Sequence, residues 1–79
     1  MNNLRHFVLL KRLEPGETSS GRLLVWDGQQ YVEGPTVTIY DYLGHYGFPG
    51  DRGSCVLSEE SGNWEVVYGL NRRATELSM

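Results

Sequence analysis

The sequence predicts an all-β fold, a small five- or six-stranded barrel formed as a single domain. Three observations lead to it. Short segments rich in Val, Ile, Tyr, Trp and Thr recur along the 79 residues. Glycine, proline and Asp/Asn clusters separate them at the close intervals expected of many short strands. A sheet of six such strands in so short a chain curls and closes, because closure limits exposed edges.

The elements follow in order. His6–Leu13, HFVLLKRL, is read as the first strand. Leu4, Val8 and Leu9 also fall roughly on one helical side. The β-branched and aromatic content, with the stop at Glu14-Pro15-Gly16, favours a strand. Pro15 to Gly21 is expected to be a flexible loop and Arg22–Trp26 the second strand. Asp27-Gly28 tolerates the positive φ of a tight hairpin turn, so Gln30–Glu33 returns as a short third strand. Gly34-Pro35 is read as a break, since proline cannot donate to a ladder.

Thr36–Asp41 is the clearest strand, with Val37 and Ile39 facing one way and Thr38 and Tyr40 the other. Tyr42 to Gly53 is a glycine-rich loop. Ser54–Ser58 then pairs with Asn63–Tyr68 across the polar turn Glu59-Glu60-Ser61-Gly62, with Trp64, Val66 and Tyr68 on one side and Glu65 and Val67 on the other. The polar tail, Asn71–Met79, is expected to form a short helical turn or an arm. A Src-homology-3-like barrel is the expected architecture, with an oligonucleotide-binding-type barrel as the alternative.

Composition narrows the function classes. The only cysteine is Cys55, so no internal disulfide is possible. Stability must then come from aromatic packing or from association with other chains. Net charge is −3, and its distribution is uneven. Residues 1–26 carry Arg5, Lys11, Arg12 and Arg22 against Glu14 and Glu17, whereas residues 27–70 carry only Arg52 against seven acids. Nucleic acid is therefore not expected as a partner, because phosphate contacts need clustered cations. The asymmetry suits head-to-tail contact between copies or docking on a charged neighbour. The longest apolar run, FVLL, is far shorter than the roughly 18–20 residues of a membrane helix, so no membrane association is expected. The start, MNNLRHFVLLKRL, lacks the apolar centre and small-residue site of a signal peptide, which implies an intracellular origin.

Each pattern that could carry chemistry has a simpler structural reading. Cys55 sits within a strand with no base in a nucleophile motif, and reads as a small buried hydrophobe. Asp41, His45 and Asp51 surround one loop but match no ligand spacing, so the two aspartates are expected to bond backbone turns. Gly44, Gly47, Gly50 and Gly53 lack the Gly-Lys-Ser/Thr and helix of a phosphate cradle, and are expected to supply positive φ. Glu59 and Glu60 are neighbours on a turn, without the separated pKa values of an acid–base pair. These readings predict no enzyme, no cofactor and no metal.

The loop's aromatics remain. Tyr42, His45, Tyr46, Phe48 and Arg52 lie close together in sequence, and Tyr, Phe and Arg are enriched where proteins bind proteins. They form the candidate protein interface. Alternatively, Tyr42, Leu43 and Phe48 fold back to plug the open end of the barrel. Both readings stand at this point.

Between Arg22 and Val67, over half the chain, the motifs Trp26-Asp27-Gly28, Thr38-Ile39-Tyr40-Asp41 with Leu43-Gly44, Gly50 to Gly53, and Ser61-Gly62-Asn63-Trp64-Glu65 resemble a group of small tailed-bacteriophage and prophage proteins, often encoded among virion structural genes. Asn63 departs from a frequent arginine in that group. The resemblance implies a non-enzymatic virion structural protein, a capsid decoration or cement protein or another particle-surface accessory. Such a protein is made in the host cytoplasm, binds capsid or tail proteins and self-associates. A small peptide- or nucleic-acid-binding regulator is the alternative.

Overall fold

The computed structural model describes residues 3–71; the tail beyond, expected to be a helical turn or arm, lies outside the described residues. The fold is all-β. Five strands make one sheet: β1 (Arg5–Leu9), β2 (Thr18–Trp26), β3 (Tyr31–Tyr40), β4 (Arg52–Leu57) and β5 (Trp64–Asn71). Their order is β1-β2-β3-β5-β4, and β4 returns to β1, so the hydrogen bonds form a ring. Every pairing is antiparallel except β3 with β5, a short parallel seam at Ile39↔Trp64 and Tyr40↔Glu65.

Alternation places Phe7 and Leu9 of β1 inside, where they meet Leu23, Ile39, Cys55 and Val66. Val37, Trp64 and Leu70 pack against this core. The expected facing of Val37 with Ile39 and of Trp64 with Val66 is therefore observed.

Three expectations about the strands are corrected. The first strand ends at Leu9, and Leu13 returns only as an isolated bridge to Gly47. The segment expected to be a loop up to Gly21 is strand from Thr18, because Thr18, Ser19, Ser20 and Gly21 pair with Tyr40, Ile39, Thr38 and Val37. The separate third and fourth strands are one continuous β3. At Gly34-Pro35 the register shifts, since Arg22 opposes Thr36 while Leu24 opposes Glu33. An unpaired bulge residue needs no donor, so proline is accommodated there without ending the strand. The Arg22 guanidinium donates to the Gly34 carbonyl at 3.3 Å, which satisfies one acceptor at the irregularity. Consecutive Leu23 and Leu24 are both buried, but only Leu23 belongs to the core cluster.

The plug is also not the expected one. Leu13 is 0% exposed and belongs to the core, whereas Phe48 is 40% and Tyr42 58% exposed. Leu43 is likewise exposed. Leu13→Ala should therefore cost about 2–5 kcal/mol of stability by opening a cavity, while Tyr42→Ala should stay within about 0.5 kcal/mol as an exposed change. Urea unfolding of the two variants measures both; equal losses would contradict this assignment of the plug.

Candidate functional site, the loop from Asp41 to Asp51

Strand β3 hands the chain to the loop at Asp41. The Asp41 N–H donates to the Glu17 carbonyl at 3.1 Å, and its Oδ1 accepts the His45 N–H at 2.7 Å. At the far end Asp51 Oδ2 accepts the Phe48 N–H at 3.0 Å. Both carboxylates are buried. The expected side-chain-to-backbone turn bonds of the two aspartates are thus present.

Between these points the loop runs antiparallel to the segment after β1. Leu13 and Gly47 exchange two backbone bonds, of 2.9 and 3.1 Å. Gly50 N–H donates to the Leu9 carbonyl at 2.8 Å, and Leu9 N–H to the Asp51 carbonyl at 2.7 Å. A backbone held in this way directs successive side chains to opposite faces. Leu13 and Gly47 face the core, so Arg12, Tyr46 and Phe48 face outward.

The glycines divide into two kinds, where one had been expected. Gly44 and Gly50 have φ of +78° and +92° and make the turns. Gly47 and Gly53 have ordinary φ and are required by close approach. A Cβ on Gly47 would lie 2.5 Å from Leu70 Cδ1 and 2.6 Å from Leu9 Cδ2, and one on Gly53 would overlap Leu70 and press on the Phe7 ring.

The structure gathers Tyr46 and Phe48 with a residue that sequence proximity did not suggest. The Arg12 guanidinium lies 4.7 Å from the Phe48 ring centre and 5.2 Å from that of Tyr46. Its Nε pairs with Glu14 at 2.5 Å. The antiparallel bridge puts Arg12 opposite Phe48 and Glu14 opposite Tyr46. Tyr46 is 60% exposed, so the cluster presents aromatic surface to solvent with a cation held beside it.

The other candidates are not part of that cluster. Tyr42 is exposed and precedes the Gly44 turn in the chain. His45 is half-buried, and its Nε2 is enclosed without a partner among the described residues. Arg52 belongs to β4, opposite Val8, with its Nε likewise enclosed. No ring or ion contact among the described residues joins these three to the Arg12 cluster.

A second aromatic surface was not anticipated. Trp26 and Tyr31 face each other across the β2–β3 hairpin, with ring centres 5.1 Å apart, and His6 meets Tyr31 edge-on at 5.3 Å. With Leu4, Arg5, Leu24 and Val25 they line a groove of about 310 Å³. His6 is held by a 3.1 Å hydrogen bond between its Nδ1 and Ser54 Oγ. The Trp26–Tyr31 pairing was open to inference, because the Asp27-Gly28 turn sets the hairpin register.

Cys55 is fully buried, and burial pushes its thiol up to about 12, against a smaller opposing effect of Arg5. At neutral pH the thiol is protonated, which removes its nucleophile. Among the described residues, no three His, Cys, Asp or Glu side chains gather as cation ligands would. No protein-family model matches the sequence, and no curated protein or solved structure is significantly similar to it.

Native Cys55 should resist a disulfide reagent at pH 8 and react fully in denaturant. Rapid labelling of the folded protein, followed by absorbance, would contradict the burial.

Proposed function

We propose that the protein is a non-enzymatic structural component of a tailed-bacteriophage particle, a small capsid decoration or cement protein or another surface accessory that binds a larger protein shell. In this reading the five-stranded ring is a barrel of the oligonucleotide-binding type, the alternative offered by the sequence, rather than a Src-homology-3-like one. The β1-β2-β3 meander, the insertion of β5 between β3 and β4, the parallel β3–β5 seam and the closure of β4 on β1 support that Greek-key assignment.

The observation that carries the function is the Arg12–Tyr46–Phe48 face. Its aromatics are large, exposed and held on a backbone anchored at both ends. Little ordering entropy is left to lose on binding, and Tyr and Arg are the side chains that concentrate binding energy. The motif resemblance between Arg22 and Val67 supplies the particle. Protein is the partner this surface favours over nucleic acid, since the outward cations near the rings are few and Arg12 already pairs with Glu14.

The groove at Trp26 and Tyr31 favours a second reading, a small module that binds an extended peptide or a nucleic-acid strand. Arg5 and the edge-to-face Trp26 and Tyr31 rings would supply its contacts.

The test is mass spectrometry of purified particles from a phage encoding this chain. The expected result is a fixed stoichiometry in wild-type particles. Tyr46→Ala/Phe48→Ala should weaken particle binding by more than about tenfold, the effect of losing a hot spot. Absence of the chain from particles would remove the structural reading. Tight, salt-sensitive binding of a single-stranded oligonucleotide would favour the second.

A further inference from the structure

We propose that the protein binds a second copy of itself head to tail, the acidic β4–β5 tip of one copy seating in a basic, hydroxyl-lined basin of the next. This rests on the reading of an assembling protein above and names one partner for it, the same chain.

The basin has a volume of about 350 Å³ and is lined by Lys11, Arg12, Thr18, Ser19, Ser20 and Thr38. Ser19 Oγ donates to the Lys11 carbonyl at 2.9 Å, which fixes the Lys11 backbone against β2. The Lys11 ammonium has no acidic partner among the described residues. The basin therefore offers a free cation, a second cation on its rim and several hydroxyl donors, a set that suits carboxylates.

The tip supplies carboxylates. Glu59 and Glu60 are exposed and form no ion pair among the described residues. The turn that carries them is internally braced. Gly62 N–H donates to the Ser58 carbonyl at 2.8 Å, Ser58 N–H to the Asn63 carbonyl at 2.9 Å, and Asn63 N–H to Ser61 Oγ at 3.1 Å. A preformed turn loses little entropy on docking. Exposed Leu57 at the base of the tip and exposed Leu10 beside Lys11 add an apolar element to each surface.

Strand register keeps the two surfaces apart within one copy. Arg5 opposes Cys55, so β4 runs past the start of β1 into the tip. Lys11 and Arg12 instead follow the end of β1 at Leu9. A single copy thus carries one acidic and one basic surface at opposite ends. The contact is heterologous and leads to a closed ring or an open chain.

Sedimentation velocity on the purified protein tests this. Wild-type protein should associate at low salt and dissociate towards about 1 M salt, where the screening length falls to about 3 Å. Lys11→Glu and Glu59→Lys/Glu60→Lys should each be monomeric, and an equimolar mixture of the two should associate again, because each retains the surface its partner lacks. Lys11→Gln and Glu60→Gln should show the same pattern more weakly, which covers the case of a charge reversal that disturbs folding. A wild-type monomer up to about 1 mM, the scale of a weak contact, overturns the proposal, as does a mixture that fails to recover association. A monomer that still binds particles would sink only the self-contact; an oligomer absent from particles would sink only the particle reading.

Discussion

The rest of the molecule depends on the two backbone hydrogen bonds between Leu13 and Gly47. A ring of five short strands encloses a narrow core, and its end must be sealed where β1 and β3 release the chain. Here two connecting segments cross and pair, and Leu13 fills the space between them. Gly47 must then lack a side chain, because Leu9 and Leu70 already occupy the place of its Cβ. Alternation does the rest. With Leu13 and Gly47 inward, Arg12, Tyr46 and Phe48 have only the outer face available. The exposed aromatic cluster is a geometric consequence of how the core is closed, and its rigidity has the same origin.

Two buried aspartates hold this crossing in shape. Each gives one carboxylate oxygen to a loop N–H, Asp41 to His45 and Asp51 to Phe48. A buried carboxylate is costly unless hydrogen-bonded, so each bond fixes its turn firmly. The Phe48 backbone is thus held by the loop's own chemistry while its ring remains outside. Order in the backbone and exposure of the side chain are what a preformed binding face needs, since the ordering cost is already met in the free protein.

Much of the fold was legible from turn residues: Asp27-Gly28 and the Glu59–Gly62 turn mark hairpins that exist. Legibility failed where a residue's usual meaning depended on a partner. Pro35 reads as a strand end, but a bulge opposite Leu23 requires no N–H, and β3 continues through it. Thr18 to Gly21 lack the bulk that signals a strand and become one by pairing with Val37–Tyr40. Within the candidate site, Tyr46 and Phe48 were visible as aromatics in a glycine-rich loop. Arg12 was not, because only the long-range bridge at Leu13 brings it over their rings. His45 and Arg52 were grouped with them by closeness in sequence, and alternation and strand membership turn both away.

Closure also determines what kind of contact the protein can make. A partner could add a strand only to an unpaired edge, and among the described residues the long open stretch is on β3. The parallel seam covers β3 only at Ile39 and Tyr40, so the stretch from Tyr31 to Thr38 keeps one side open to such pairing among the described residues. Pro35 sits in that stretch at the bulge, beside the charged Glu33, and both features discourage strand addition. Binding is therefore favoured through side chains on loops and hairpin tips. That is where the unpaired chemistry of this small domain lies: Tyr46 and Phe48 under Arg12, Trp26 against Tyr31, the Lys11 basin, and the Glu59-Glu60 tip. A sheet that protects its edges and presents aromatic and charged groups at its ends is suited to side-chain docking against other folded surfaces, and the proposed contacts with a shell and with its own copies both use those ends.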